Sequence, residues 1–565
     1  MMRYTLKSTL IDKINIKKIA TILFYIVAFT LILGYVIIPL LNTIKSSFNT
    51  SEGYNINNYI QYFANKSNLI VIKNTFFLGI MTVLICGIIG TILAFYTSLV
   101  DIKNKKILHT LLLSPMMVPG VIIVISFIQL YGESGIITKA IQIFFGLENI
   151  PFKFNGIKGI LFVHAYTQYV YFYLNVSVAL KYLDASTIEA ARSFGASKVK
   201  IFFAIILPSI LPAILSSSIV TFISGISSFS APNLIGGKFR VLSTQILLSK
   251  ANNHMHIASV QVVILLIMGL SMLLLIRYYE KKYSMAESLR RVSLKPIRLN
   301  NKLTKFSLNL LIITIVTLIL LPIIAIFVLS FVKPGTWMVE IFPKEYSLGN
   351  YIKLATKPRV LRPFKNSIFM SIVTVLAGVA ISLPIAFIIS KKKSNLNSLL
   401  EVTAMLPWAM PASTIAINLI NAFNVKNVFA FNQVLIGRYW ILPIAYIITI
   451  VPLMLRTNLI ALYKFNNDLE DASKSLGAGS IRTFFKITVP IIMPAVVSGA
   501  SVAFIRTLGE YTMSALLYGV SNRPLSIAMV NAMQEFDIGL SMAYGVITIL
   551  ICTTVTWMLN RNSVT

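Results

Sequence analysis

Residues 186–213 read STIEAARSFGASKVKIFFAIILPSILPA, and residues 468–495 read DLEDASKSLGAGSIRTFFKITVPIIMPA. At an offset of 282, eleven of the twenty-four positions from Ala190 to Ala213 are identical, among them Gly195 with Gly477, Pro208 with Pro490 and Pro212 with Pro494. Phe202 and Phe203 likewise meet Phe484 and Phe485. Repetition at a fixed spacing marks an internal duplication. Elsewhere the offset drifts: Pro39 meets Pro322 at 283, whereas Asn74, Pro115 and Pro119 meet Asn366, Pro407 and Pro411 at 292. Loops have changed length while the order of segments has been kept.

Each copy of the stretch reads as helix, turn and helix. Ser186 followed by Glu189 has the spacing of a capping box, and Gly195 then lets the chain reverse. In the second copy Asp468 and Asp471 take the cap and third positions, and Gly477 makes the bend. The result is a compact knob that leaves Phe194 or Leu476 exposed, a shape suited to a groove on a soluble partner.

Working outward from these loops, the chain has 565 residues, 56% hydrophobic and 12% charged, with a mean hydropathy of +0.80. Apolar runs of the roughly 20 residues needed to cross a bilayer recur along its whole length. The expected fold class is therefore all-α and polytopic. Spans are placed at 19–44, 74–99, 110–131, 159–180, 205–232 and 257–276, and again at 306–331, 366–390, 399–423, 441–463, 488–517 and 539–559. These make two tandem six-helix halves, 19–276 and 306–559, with the repeated loops at 181–208 and 464–490. A basic segment, 277–305, reads as a cytoplasmic linker between them. Six is even, so both halves enter from the same side, and the solute path is expected between them.

Basic loops are retained on the cytoplasmic side. With both termini (1–18 and 560–565) inside, the cytoplasmic loops hold 29 of the 50 basic residues in 119 positions, against 19 in 152 outside. The formal charge of +32 is spread over both faces without forming a stripe, which fits anionic lipid headgroups and not nucleic acid. Cys86 and Cys552 fall inside expected spans, leaving no disulfide framework or thiolate metal site. His254-Met255-His256 lacks the carboxylate or thiolate neighbours of a metal site, so none is expected. No nucleophile, base and orienting group cluster outside the membrane, so catalysis is not expected.

The repeated loop resembles the EAA motif of the binding-protein-dependent ABC importer permeases. Glu189-Ala190-Ala191, Gly195 and Ile205-Ile206-Leu207-Pro208 match every element. The second copy departs, with Asp471-Ala472-Ser473 and Val489 before Pro490, but keeps the spacing through Gly477. A lone Glu-Ala-Ala string is ordinary surface helix; two at matching places in a duplicated chain are not. The resemblance implies a coupling role for Glu189, Ala190, Ala191, Gly195 and Pro208 and for Asp471, Ala472, Ser473, Gly477 and Pro490, each loop seated in one of two copies of an ABC ATPase subunit. It also implies an extracytoplasmic solute-binding protein and a place in the bacterial inner membrane. No phosphate-binding Gly-x-x-x-x-Gly-Lys-Ser/Thr occurs, and Gly236-Gly237-Lys238 runs into Phe239. ATP and Mg are therefore expected on the partner, with no cofactor bound by this chain. Fused permeases of this length, and the segment 229–237 (FSAPNLIGG), resemble the ferric-iron uptake group, which also includes permeases for 2-aminoethylphosphonate, thiamine and polyamines. Ferric iron is the first expectation for the cargo. An ion-coupled secondary transporter would also have twelve helices but would not need the paired loops.

Arg506 and Glu510 lie four residues apart in the expected fifth span of the second half, so they should share a face and either pair or line a cavity. The first half offers Ser227 and Ser228 there, with Ser228 aligned to Glu510. These four are the candidate path residues. Arg456, nearer a cytoplasmic end, is expected to snorkel. Pro115 with Pro119, and Pro407 with Pro411, should bend the third span of each half. The outer loop 332–365 carries seven basic residues suited to contact a delivering protein.

Overall fold

The computed structural model describes residues 22–283, 301–337, 341–391 and 394–564. The expected N-terminal segment 1–18 and most of the expected linker 277–305 lie outside the described residues. Ten described helices are long and apolar enough to cross a bilayer, or eleven when the bent pair Asn395–Ala409 and Ala412–Phe423 is one span. The twelfth expected span is present as the 26-residue helix Gly156–Lys181. It falls outside that set because it carries buried His164, Gln168, Tyr166, Tyr169 and Tyr173 in place of aliphatic residues.

The third span of each half is broken at the prolines, where a bend was expected. In the first half Lys105–Leu113 gives way to a tight turn at Ser114–Met117, and Gly120–Tyr131 starts afresh. Val118 sits at φ −103° and ψ 124°, because the ring of Pro119 excludes the helical conformation from the residue before it. Met410 before Pro411 has φ −93° and ψ 124°, and the second-half pair is bent by 108° there. The fifth spans also end early. They stop at Ile226 and Leu508, and the short helices Ser230–Ile235 and Thr512–Leu517 follow.

The duplication is repeated in hydrogen bonds. Ser47 Oγ meets Tyr59 Oη at 2.7 Å, and Ser330 Oγ meets Tyr351 Oη at 2.6 Å. The amide of Asn58 donates to the carbonyls of Ser47 and Asn49, as Asn350 does to Ser330 and Val332. Thr75 Oγ1 accepts from Leu242 N, and Ser367 Oγ from Leu525 N, both at 2.8 Å. Buried polar groups must be paired, so each of these bonds was a constraint on divergence of the copies.

The halves are not side-by-side units. The stretch Ile38–Phe48 of the first helix packs on Ala412–Phe423 of the second half, and Lys302–Leu329 packs on Gly120–Tyr131 of the first. Asn421 Nδ2 donates to Thr43 Oγ1 at 3.1 Å and to Ser259 Oγ at 3.0 Å, while Ser126 Oγ donates to the carbonyl of Pro322 at 2.8 Å. Both large hydrophobic cores therefore draw on both halves.

Candidate coupling elbows and central seam

Two short helices, Ala185–Ser193 and Asp468–Ser475, project from one end of the bundle. The first begins two residues earlier than the capping-box reading placed it. Asp184, not Ser186, is the cap, its carboxylate accepting from Ser186 N at 3.1 Å and from Ser186 Oγ at 2.8 Å. In the second copy Asn466 Oδ1 accepts from Asp468 N at 2.9 Å, and the helix follows without a capping side chain at Asn467. Asp468 and Asp471 lie in the first turn, where negative charge suits the helix dipole.

The C-terminal ends are the same in both copies. Gly195 and Gly477 stand at φ +77° and +84°. The amides of Gly195 and Ala196 reach back to Arg192 and Ala191, as Gly477 and Ala478 do to Lys474 and Ser473. A left-handed residue here reverses the chain and satisfies carbonyls that the helix end would otherwise orphan. Each bend exposes one large apolar side chain, Phe194 at 91% and Leu476 at 90%. Glu189, Ala190, Asp471 and Ala472 are exposed on the same helices, and Asp471 is paired with Lys474 at 2.9 Å.

Beyond each bend the chain widens into a single π-helical turn, Phe202–Ile206 and Phe484–Thr488. Leu207 N reaches Phe202 O, and Val489 N reaches Phe484 O. Pro208 and Pro490 come next; each lacks an N–H and its ring would crowd a carbonyl one turn back, and the widened turn accommodates both defects.

The elbows differ in how they are held down. In the second half Glu470 is 4% exposed, its Oε1 2.6 Å from Lys391 Nζ and 2.9 Å from Thr488 Oγ1. Lys391 also donates to Asn467 Oδ1 at 3.0 Å and lies over the Phe387 and Phe465 rings. Ser473 Oγ meets Thr483 Oγ1 at 3.0 Å. At the repeat positions the first half has Leu99, Ile188 and Ile206. One elbow is anchored by a charge cluster and the other by aliphatic packing. Sequence reasoning passed over Glu470 in favour of Asp471. The available signal was three polar residues in one copy facing three apolar ones in the other.

Glu470→Ile alone is expected to destabilise the purified protein by about 1–3 kcal/mol, since Lys391 loses its partner but is near enough to water to be partly rehydrated. The triple change Lys391→Leu, Glu470→Ile and Thr488→Ile should restore near-normal stability by rebuilding the first half's packing. Thermal unfolding checks both, and a single variant melting with the wild type would refute the anchor.

At the far end of the fifth helices the halves meet. Phe229 and Tyr511 are repeat equivalents, 282 positions apart, and their rings pack on each other with centroids 5.4 Å apart. Equivalent residues can touch only where the pseudo-two-fold axis passes between them. Both are buried, at 2% and 6%. Asn233 Nδ2 donates to Tyr511 Oη at 2.9 Å across the same seam. A Cβ on Gly509 would fall 2.1 Å from Pro119 Cβ, so glycine is what lets the second half close against the first half's broken span.

The expected Arg506–Glu510 pair does not form. The helix ends at Leu508, leaving Arg506 exposed on it and Glu510 beyond it. The Glu510 carboxylate instead turns to Met513 N and Ser514 N, both at 3.0 Å, and to Ser514 Oγ at 3.2 Å, capping Thr512–Leu517. Ser228, its repeat equivalent, bonds His164 Nε2 at 2.8 Å, and His164 Nδ1 bonds Thr82 Oγ1 at 2.8 Å. Tyr446, which stands where the first half has His164, bonds Ser514 Oγ at 2.7 Å. The carbonyls of Ser228 and Glu510 both accept a serine hydroxyl at 2.6 Å, from Ser243 and Ser526. Of the candidate path residues, Ser228 and Glu510 thus hold the chain break beside the seam, while Ser227 Oγ is buried without a partner. Arg456 lies 5.1 Å over the Trp408 ring.

The model of binding-protein-dependent transport system inner membrane components matches residues 88–285 and again 378–562. The chain belongs to that family. As a permease of this kind it carries the domain twice, once in each half, and is a multi-pass inner-membrane protein. It is 31% identical to the probable ABC transporter permease protein y4fN of Sinorhizobium fredii over 82% of each chain. It is 24% identical to the ferric transport system permease protein FbpB of Actinobacillus pleuropneumoniae, over 92% of this permease and 75% of that one. The sulfate transport system permease protein CysT of Salmonella typhimurium matches at 25% identity over 34% of this permease and 73% of its own length.

Proposed function

We propose that this permease is the gated channel of an ATP-driven importer, worked through its two elbows by two copies of a separate ATPase subunit. The observation that carries this reading is the pair of elbows, each with the same reversed bend and one large apolar side chain held into solvent. In this reading both termini are cytoplasmic, and ATP and Mg are used by the partner. Closure of the ATPase dimer draws the loops around Glu189 and Asp471 together. The fifth helices then carry that movement, through the π-turns, to the Phe229–Tyr511 seam. Solute enters from an extracytoplasmic binding protein docked at the opposite end, and hydrolysis resets the channel inward.

For the cargo we propose ferric iron. Its support is that FbpB matches along almost the whole fused chain, whereas the sulfate permease matches over about a third of it. The deciding experiment reconstitutes the permease with its ATPase in lipid discs and measures ATPase stimulation by loaded binding proteins for ferric iron, 2-aminoethylphosphonate, thiamine, spermidine and sulfate. Several-fold stimulation by the ferric protein alone supports the assignment. Stimulation by another replaces the cargo but keeps the mechanism, and failure to bind any ATPase overturns the mechanism itself.

A further inference from the structure

A cavity of about 680 Å³ opens at the end of the bundle opposite the elbows, lined by Arg359, Arg362, Asn366, Tyr518, Arg523 and Asn531 among others. Arg359 and Arg362 lie in the first turns of the helix Pro358–Lys391, whose far end reaches the second elbow about 50 Å away. The ten lining residues include three arginines and no acid. Among the described residues no carboxylate pairs with any of the three. Asp537 is itself paired with Lys353 at 3.2 Å.

Three guanidiniums in one concavity repel one another, and unlike lysines they cannot relieve the repulsion by losing protons. The loop carrying Arg523 is held by the fold. Asn366 Nδ2 donates to the carbonyl of Arg523 at 3.1 Å, and Asn522 Oδ1 accepts from Gly519 N at 2.6 Å, fixing the loop that carries Arg523. With the Asn531 amide turned so that its oxygen accepts, Arg523 Nη2 reaches it at 2.8 Å, while Arg523 Nε is buried and unpartnered. The first half keeps the scaffold and one of the three arginines: Asn74 Nδ2 meets the carbonyl of Arg240 at 3.1 Å, yet Ser67 and Ile70 stand where the second half has Arg359 and Arg362. The two extra guanidiniums are present on one side only.

We propose that this cavity binds a tetrahedral oxyanion of the phosphate class. Planar guanidiniums grip such oxygens in pairs, and the volume lies within the range of small-ligand sites. The oxyanion can come from two sources, a free phosphate-like solute or the headgroup of an anionic phospholipid.

The test uses the full-length permease and needs neither ATPase nor binding protein, so its outcome is separate from the coupling and cargo readings. Labelled inorganic phosphate is titrated against the protein in phosphatidylcholine discs, for the wild type and for Arg359→Gln/Arg362→Gln. In parallel, native mass spectrometry asks whether phosphatidylglycerol stays bound through detergent exchange. Binding of phosphate that weakens about tenfold for each arginine lost supports the site with a free anion as occupant. Retention of phosphatidylglycerol by the wild type and its loss from the variant supports the site with lipid as occupant. Neither ligand bound, or binding unchanged in the variant, overturns the proposal. Thermal unfolding confirms that the variant is folded, and either single substitution replaces the double one if it is not.

Discussion

Replacing Phe229 and Tyr511 together by alanine is expected to make the permease leak. The two rings are the contact through which the halves touch across their own symmetry axis, and both are almost wholly buried. An apolar plug of this kind blocks ions because water will not fill a narrow greasy passage; truncation to two methyl groups removes the plug and lets the passage wet. Conductance of the permease alone in planar bilayers should rise roughly tenfold or more. Tyr511→Phe is the matched control. It deletes the hydroxyl that accepts from Asn233 but keeps the ring, so the seam should stay tight. Truncating two buried rings also costs about 3–5 kcal/mol each in packing, so the conductance is read on protein shown to be folded. A folded double variant as tight as the wild type would remove these residues from the barrier.

The second large effect is expected at the opposite end. Phe194→Ser with Leu476→Ser should abolish co-purification of the ATPase while leaving the permease as stable as before. Both side chains are about nine-tenths exposed, so little folding energy depends on them. Centrally buried apolar anchors of an interface, by contrast, are each commonly worth 2 kcal/mol or more. Losing both would weaken association by roughly a thousandfold. Unchanged co-purification would mean that the elbows are not the ATPase contact. Gly195→Val and Gly477→Val probe the same knobs differently. No atom lies within 4 Å of a Cβ at either glycine, so the cost is that of forcing a side chain into the left-handed region. The knobs are then re-aimed, not removed.

Much of this was legible in the residues. The 282-residue repeat, the glycine bends and the proline breaks announce themselves because each has a local cause: a left-handed φ demands glycine, and a proline forbids helix just before it. The Arg506–Glu510 pair is absent for the converse reason. Spacing of four implies a shared face only if the helix continues, and Gly509 between them let the helix stop so that Glu510 could cap the next one. Glu470 was hidden by a motif that drew attention to its neighbour Asp471. Only the contrast with Ile188 in the other copy exposes it, and that contrast becomes meaningful once Lys391 and Thr488 are seen to converge on the same carboxylate.

The exchange of first helices has a consequence for why the two halves share one chain. Each half completes the other's interior, so neither is a finished object, and the copies have since diverged at His164 against Tyr446 and at Ile188 against Glu470. Made as separate proteins, such halves could still pair with copies of themselves and yield channels with two anchored elbows or none. A covalent tether raises the local concentration of the correct mate far above that of any rival. Fusion therefore works as quality control on assembly: it guarantees one of each half per channel, and that guarantee is what has left the two sides free to specialise.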